Sequence, residues 1–136
     1  MANYKIEEIK GIDEALGAKL REVGINTTDK LLAGVKTKKQ RKELAESIGI
    51  SEKVVLKFAN LVDLFRIHGI GKEFSDLLEI AGVDTVPELA MRKAENLTAK
   101  MEQVNAEKKL TLRTPSLKEV TKWIEEAKSL PRVLEY

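Results

Sequence analysis

The stretch Ile67-His68-Gly69-Ile70-Gly71-Lys72 constrains the fold of this chain more than any other. Upstream, from Ser51 to Arg66, apolar residues recur at Val54, Val55, Phe58, Leu61, Val62 and Phe65, the one-face spacing of an amphipathic helix. Downstream, Phe74, Leu77, Leu78 and Ala81 repeat that spacing, and Gly82 stands where a left-handed helix stop belongs. Two helices therefore meet at Gly-Ile-Gly. A turn this short needs glycine for positive φ and one apolar residue, Ile70, to pin it to the core. Gly71 opens the second helix, so the N–H groups of Gly71, Lys72 and Glu73 have no intrahelical partner and lie at the positive end of the helix dipole. Such a site suits an anion such as phosphate. The same turn chemistry serves a plain connection between two core helices equally well.

The pattern occurs twice. Gly11 precedes Gly69 by 58 positions, and that shift carries Ile9 onto Ile67, Ile12 onto Ile70, Leu20 onto Leu78, Gly24 onto Gly82, Thr27 onto Thr85 and Leu31 onto Leu89. Internal duplication is the simplest explanation. In the first copy a short helix over 3–9 leads into the turn, and a second helix runs from Asp13 to Val23. Gly17 stands at the place of Ser75, the small residue that lets paired helices approach. Asp13, however, replaces the second glycine and Glu14 follows it. Carboxylates at a helix N-terminus satisfy the free N–H groups themselves and repel phosphate, so this copy reads as structural.

The remaining helices announce themselves by their caps. Thr27 or Thr28 starts a short one, Thr37 a longer one over 38–48, and Ser51 the helix that feeds the second turn. Thr85, with Pro87 in the first turn, repeats the short helix; another follows over 94–108, then a loop over 109–115 and a last helix capped by Ser116. Trp123 matches Phe58 at a core position of that helix, and the lone His68 reads as a surface turn residue.

The Gly-Ile-Gly turn, with Ser75 four positions and Leu78 seven positions after Gly71, resembles the helix-hairpin-helix motif. The whole chain, including Asp-Leu-Phe-Arg-Ile at 63–67, is similar to an uncharacterised bacterial family of tandem helix-hairpin-helix proteins described only as a domain of unknown function. The resemblance implies an all-α fold: two tandem five-helix helix-hairpin-helix units of the SAM-like kind, packed as one compact body without a β-sheet. The first unit is expected over 1–65, with a degenerate hairpin at 9–13. The second is expected over 66–136, with an intact hairpin at 67–72 whose first helix is supplied by 51–66. It also implies sequence-independent gripping of the DNA backbone by His68, Gly69, Ile70, Gly71 and Lys72, flanked by Arg66.

A second basic element, Lys36-Thr37-Lys38-Lys39-Gln40-Arg41-Lys42, contains five cations and no acid. It reads as a solvated helix face or, functionally, as a backbone-contacting patch formed by Lys38, Lys39, Arg41 and Lys42. The overall balance of 24 Lys+Arg against 22 Asp+Glu provides no global basic field, which weighs against strong DNA binding and keeps a protein-interaction or scaffold role open. The absence of cysteine removes disulfides and thiolate zinc sites. Nothing in the spacing suggests a catalytic constellation, a metal, a cofactor or a small-molecule substrate, so the chain reads as non-catalytic. Without a membrane-spanning run, and with no apolar leader in Met1-Ala2-Asn3-Tyr4-Lys5, it reads as cytoplasmic.

Overall fold

The computed structural model describes residues 3–136; Met1 and Ala2, which open the expected first unit, lie outside the described residues. A short 3₁₀ turn, Ile6–Glu8, precedes eight α-helices: α1 Glu14–Glu22, α2 Thr28–Gly34, α3 Lys38–Ile48, α4 Glu52–Leu64, α5 Lys72–Ile80, α6 Val86–Ala90, α7 Ala94–Lys108 and α8 Leu117–Ser129. The described residues form no sheet, only one isolated antiparallel bridge between Lys5 and Thr27. No helix among them is long and apolar enough to cross a membrane. The helix expected over 3–9 is reduced to the three-residue 3₁₀ turn. The backbone before it and at its first residue bonds instead to the α1–α2 connection, through Ile6 N–H to Asn26 C=O (3.3 Å) and Thr28 N–H to Tyr4 C=O (2.9 Å).

Local chemistry sets the helix starts. Asp13, Thr27, Thr37, Ser51, Thr85 and Ser116 each accept a first-turn N–H with their side chains. Thr37 with Gln40 and Ser116 with Glu119 form complete capping boxes. Among the described helices only α5 and α7, started by Gly71 and Lys93, have no side-chain cap.

Buried apolar side chains gather in two clusters. One spans Ile6 to Phe65, with Leu31, Val55, Leu61 and Val62 at its centre. The other spans Leu64 to Ala127, built on Ile67, Ile70, Leu77, Leu78, Leu89, Met101 and Trp123. α4 feeds both, since Val55 to Val62 and Phe65 face the first while Leu64 faces the second. Val54, expected on the apolar face, is 39% exposed, because Ser51 starts α4 with that position turned to solvent.

The chain also returns at its end. Beyond α8, residues 131–136 carry no regular structure and return to the first cluster, placing Leu134 in its core at 2% exposure. Glu135 N–H donates to Lys36 C=O (2.7 Å), Arg41 Nη2 donates to Glu135 C=O (2.5 Å), and Tyr136 Oη donates to Asn60 Oδ1 (3.0 Å). Tyr4 packs edge-on against Phe65, ring centres 5.5 Å apart. The first three contacts tie the C-terminal segment to the start of α3 and to α4, and the last sets the N-terminal segment against the end of α4.

Candidate functional site

The α4–α5 turn forms by progressive tightening of a helix end. Past Leu64, the N–H groups of Phe65, Arg66 and Ile67 reach carbonyls three residues back at 3.1 to 3.2 Å, and Ile70 N–H then closes on Ile67 C=O at 3.2 Å. Gly69 takes φ +90° at the third place of that turn, a conformation that glycine alone adopts without cost, and Ile70 is 1% exposed. The earlier turn has the same construction: Ile12 N–H meets Ile9 C=O at 3.1 Å, Gly11 takes φ +95°, and Ile12 is buried.

The helices that leave the two turns start differently. At α1, Asp13 Oδ1 accepts Leu16 N–H at 2.8 Å, so a carboxylate already occupies the N-terminus. Gly71 supplies α5 with no side chain for that purpose. Its φ of −127° is ordinary extended backbone, and a Cβ there would meet only the Tyr4 ring hydroxyl at 3.7 Å. Neither backbone nor packing therefore demands glycine at 71. What glycine leaves is open access to the first-turn N–H groups.

Cations stand nearby. Lys72 is exposed and lines a cleft of about 370 Å³ together with Lys10, Gly11, Ile12 and Asp13 of the first turn, so the two turns share a surface. Asp76, one turn into α5, has one carboxylate oxygen buried without a hydrogen-bond partner. Burial pushes its pKa up, opposed first by the charge on Lys10 and further by Lys72 and Lys57, while Glu79 adds to the rise. On the other side of the turn, Glu126 of α8 accepts His68 N–H with Oε1 (3.1 Å) and holds the His68 ring Nδ1 with Oε2 (2.8 Å).

Two arginines expected at this site face elsewhere. Arg66 is 8% exposed; its Nη1 bonds Asp63 Oδ1 (3.1 Å) and its Nη2 bonds Pro131 C=O (2.6 Å). Arg41, 5% exposed, donates to Val35 C=O (2.9 Å), Lys36 C=O (3.2 Å) and Glu135 C=O, with its guanidinium over the Tyr136 ring. Both belong to the internal scaffold, because their planar forks are spent on backbone carbonyls at and beside the C-terminal segment.

Of the other expected residues, His68, Gly69 and Lys72 are exposed and adjoining, and Ile70 anchors them from beneath. Lys38, Lys39 and Lys42 are exposed on α3; Lys39 lies 4.0 Å from Glu43, and Lys38 lines a separate cleft with Lys53, Leu56 and Tyr136. The structure does not gather the α3 lysines and the turn into one cleft. Sequence reasoning missed Lys10 and Glu126. The shift of 58 placed Lys10 opposite His68 and could have flagged it, whereas nothing in the sequence sets α8 beside the turn.

A family model for a domain of unknown function, DUF4332, matches residues 10–130. The chain belongs to that family, and its eight-helix fold is therefore a structure for it. No curated protein and no solved structure matches the chain.

Proposed function

We propose that this protein is a non-catalytic, sequence-independent nucleic-acid-binding protein that holds backbone phosphate at the α4–α5 turn, in the manner of a tandem helix-hairpin-helix protein. The observation that carries the reading is the uncapped start of α5: Gly71 leaves the first-turn N–H groups open at the positive helix end, beside exposed Lys72, which lines a cleft with Lys10. The shared construction of the two turns, each with a positive-φ glycine and a buried isoleucine, supports a duplicated hairpin. With Arg66 and Arg41 committed inward, the contact rests on backbone amides and lysines, a recipe for weak, base-independent binding.

The test is a titration of duplex DNA at two or three salt concentrations, with Gly71→Asp alongside. Micromolar-range binding should weaken with salt by roughly 0.9 log units per phosphate contact for each log unit of salt, and Gly71→Asp should abolish it. Absence of binding at low salt, or indifference to the substitution, removes the reading. It would then favour a scaffold role, for which the carboxylate cap at Asp13 is the supporting observation.

A further inference from the structure

Beside the α4–α5 turn, a cleft of about 370 Å³ lies between Gly69 and α8, lined by His68, Gly69, Glu119, Lys122, Trp123 and Glu126. Its acidic groups are committed. Glu119 is paired with Arg113 at 2.7 Å and closes the capping box at Ser116, and both oxygens of Glu126 are bonded to His68. The groups with donors to spare are Lys122, exposed, and the indole of Trp123.

Trp123 is 3% exposed and packs its ring against Phe74, centres 5.4 Å apart, which accounts for its place in the core. Packing does not account for its nitrogen. Nε1 lies 3.2 Å from where a Cβ on Gly69 would stand, and its N–H opens into the cleft without a protein acceptor among the described residues, where Asp76 Oδ1 is the one side-chain nitrogen or oxygen both buried and unpartnered. Here it lines the cleft beside Gly69, which has no side chain to cover it.

We infer that this cleft is a second oxyanion site, taking a phosphate oxygen on Trp123 Nε1–H and Lys122, with Glu126 as the built-in anion that an incoming phosphate displaces from the His68 amide. Donors without acceptors select an acceptor-rich anionic ligand. The turn amide already holds a carboxylate, so its capacity for an oxyanion is visible in the fold. The site deepens the proposed phosphate contact and rests on that reading only for the source of the phosphate, which is either a nucleic-acid backbone or a free phosphorylated molecule. It also gives the turn an internal competitor, since Glu126 must leave before phosphate enters.

Trp123 is the chain's one tryptophan, so its indole N–H gives a single resonance that reports on the cleft. Sodium orthophosphate and a short single-stranded oligonucleotide are titrated into the wild type, Glu126→Ala and Gly71→Asp while that resonance is followed, with sodium chloride as the ionic-strength control. Orthophosphate should move it saturably, at roughly tenfold lower concentration in Glu126→Ala than in the wild type, because a like charge has been removed. Gly71→Asp should leave the orthophosphate response intact. A resonance in Glu126→Ala that responds to orthophosphate no more than to chloride overturns the site. Orthophosphate binding without oligonucleotide binding in any variant keeps the cleft and removes the nucleic-acid reading. Oligonucleotide binding to the wild type with the indole unmoved does the reverse.

Discussion

Asp63 and Arg66 lie one helical turn apart at the end of α4, 3.1 Å between Oδ1 and Nη1, and each reaches beyond the other to a different part of the chain. Asp63 Oδ2 accepts Val86 N–H at the start of α6 (2.8 Å), and Arg66 Nη2 donates to Pro131 C=O beyond α8 (2.6 Å). Both side chains are nearly fully buried. Breaking such a pair from one side leaves an uncompensated buried charge. Asp63→Ala should therefore cost about 3 to 5 kcal/mol in urea unfolding, while Asp63→Leu combined with Arg66→Met should recover a large part of the loss. A cost below about 1 kcal/mol for the single change would show that the pair does not join these elements.

The C-terminal segment makes a second prediction. Leu134 is 2% exposed in the first cluster although it is 69 residues beyond Phe65, the last member of that cluster before it. Leu134→Ala should cost about 2 to 5 kcal/mol, as removal of a core leucine does. Leu112, at 102% exposure on the 109–116 loop, provides the contrast: Leu112→Ala should stay within about 0.5 kcal/mol. Thermal melts of the two variants beside the wild type decide the point, and equal melting temperatures would mean that the segment is not anchored there.

What the sequence disclosed, and what it did not, follows the range of the interactions involved. Caps such as Thr37 with Gln40, Ser51 and Ser116 with Glu119 act within one turn, so the helix starts were readable residue by residue. The two Gly-Ile turns were readable because positive φ leaves a compositional mark. Arg66 and Arg41 were misplaced because their partners, Pro131 and Glu135, lie 65 and 94 residues away, and no periodicity records a tail folding back onto its own start. Glu126 was invisible for the same reason, 58 residues from the His68 amide it occupies. Long-range polar pairing decided which cations remain for a ligand.

A defined part of the acid sensitivity should be traceable to one ion pair, Arg113–Glu119. Hydrogen bonds from Arg113, and then from the Ser116 backbone, hold the Glu119 pKa at about 2 against an ordinary 4.5. A folded-state pKa below the unfolded one gives stability that is complete above the unfolded value and disappears as pH falls toward the folded one. Between pH 4.5 and about 2 the wild type should thus lose stability more steeply than Glu119→Gln, whose amide still serves the capping box. The measurement is urea unfolding across that window. Glu7, held at about 2 by its pair with Arg21, adds the same slope to both proteins and cancels in the comparison. Parallel curves would mean that the Arg113–Glu119 pair contributes nothing in solution.

The two turns supply a reciprocal pair of substitutions in which stability and binding should move in opposite directions. Asp13 caps α1 through Leu16 N–H at 2.8 Å, whereas Gly71 leaves α5 uncapped in a backbone conformation that tolerates a side chain. Gly71→Asp should raise stability by a few tenths of a kcal/mol, up to about 1, because a carboxylate both caps the helix and complements its dipole. Asp13→Gly should lower it by a similar amount. Binding of duplex DNA should change the other way: lost in Gly71→Asp, and tightened severalfold in Asp13→Gly, since a repelling charge leaves the cleft that Lys10 and Lys72 line. Urea unfolding and a low-salt DNA titration on the same preparations give both quantities. If stability and affinity rise or fall together in both variants, the occupancy of a helix N-terminus by carboxylate is not what separates the two turns.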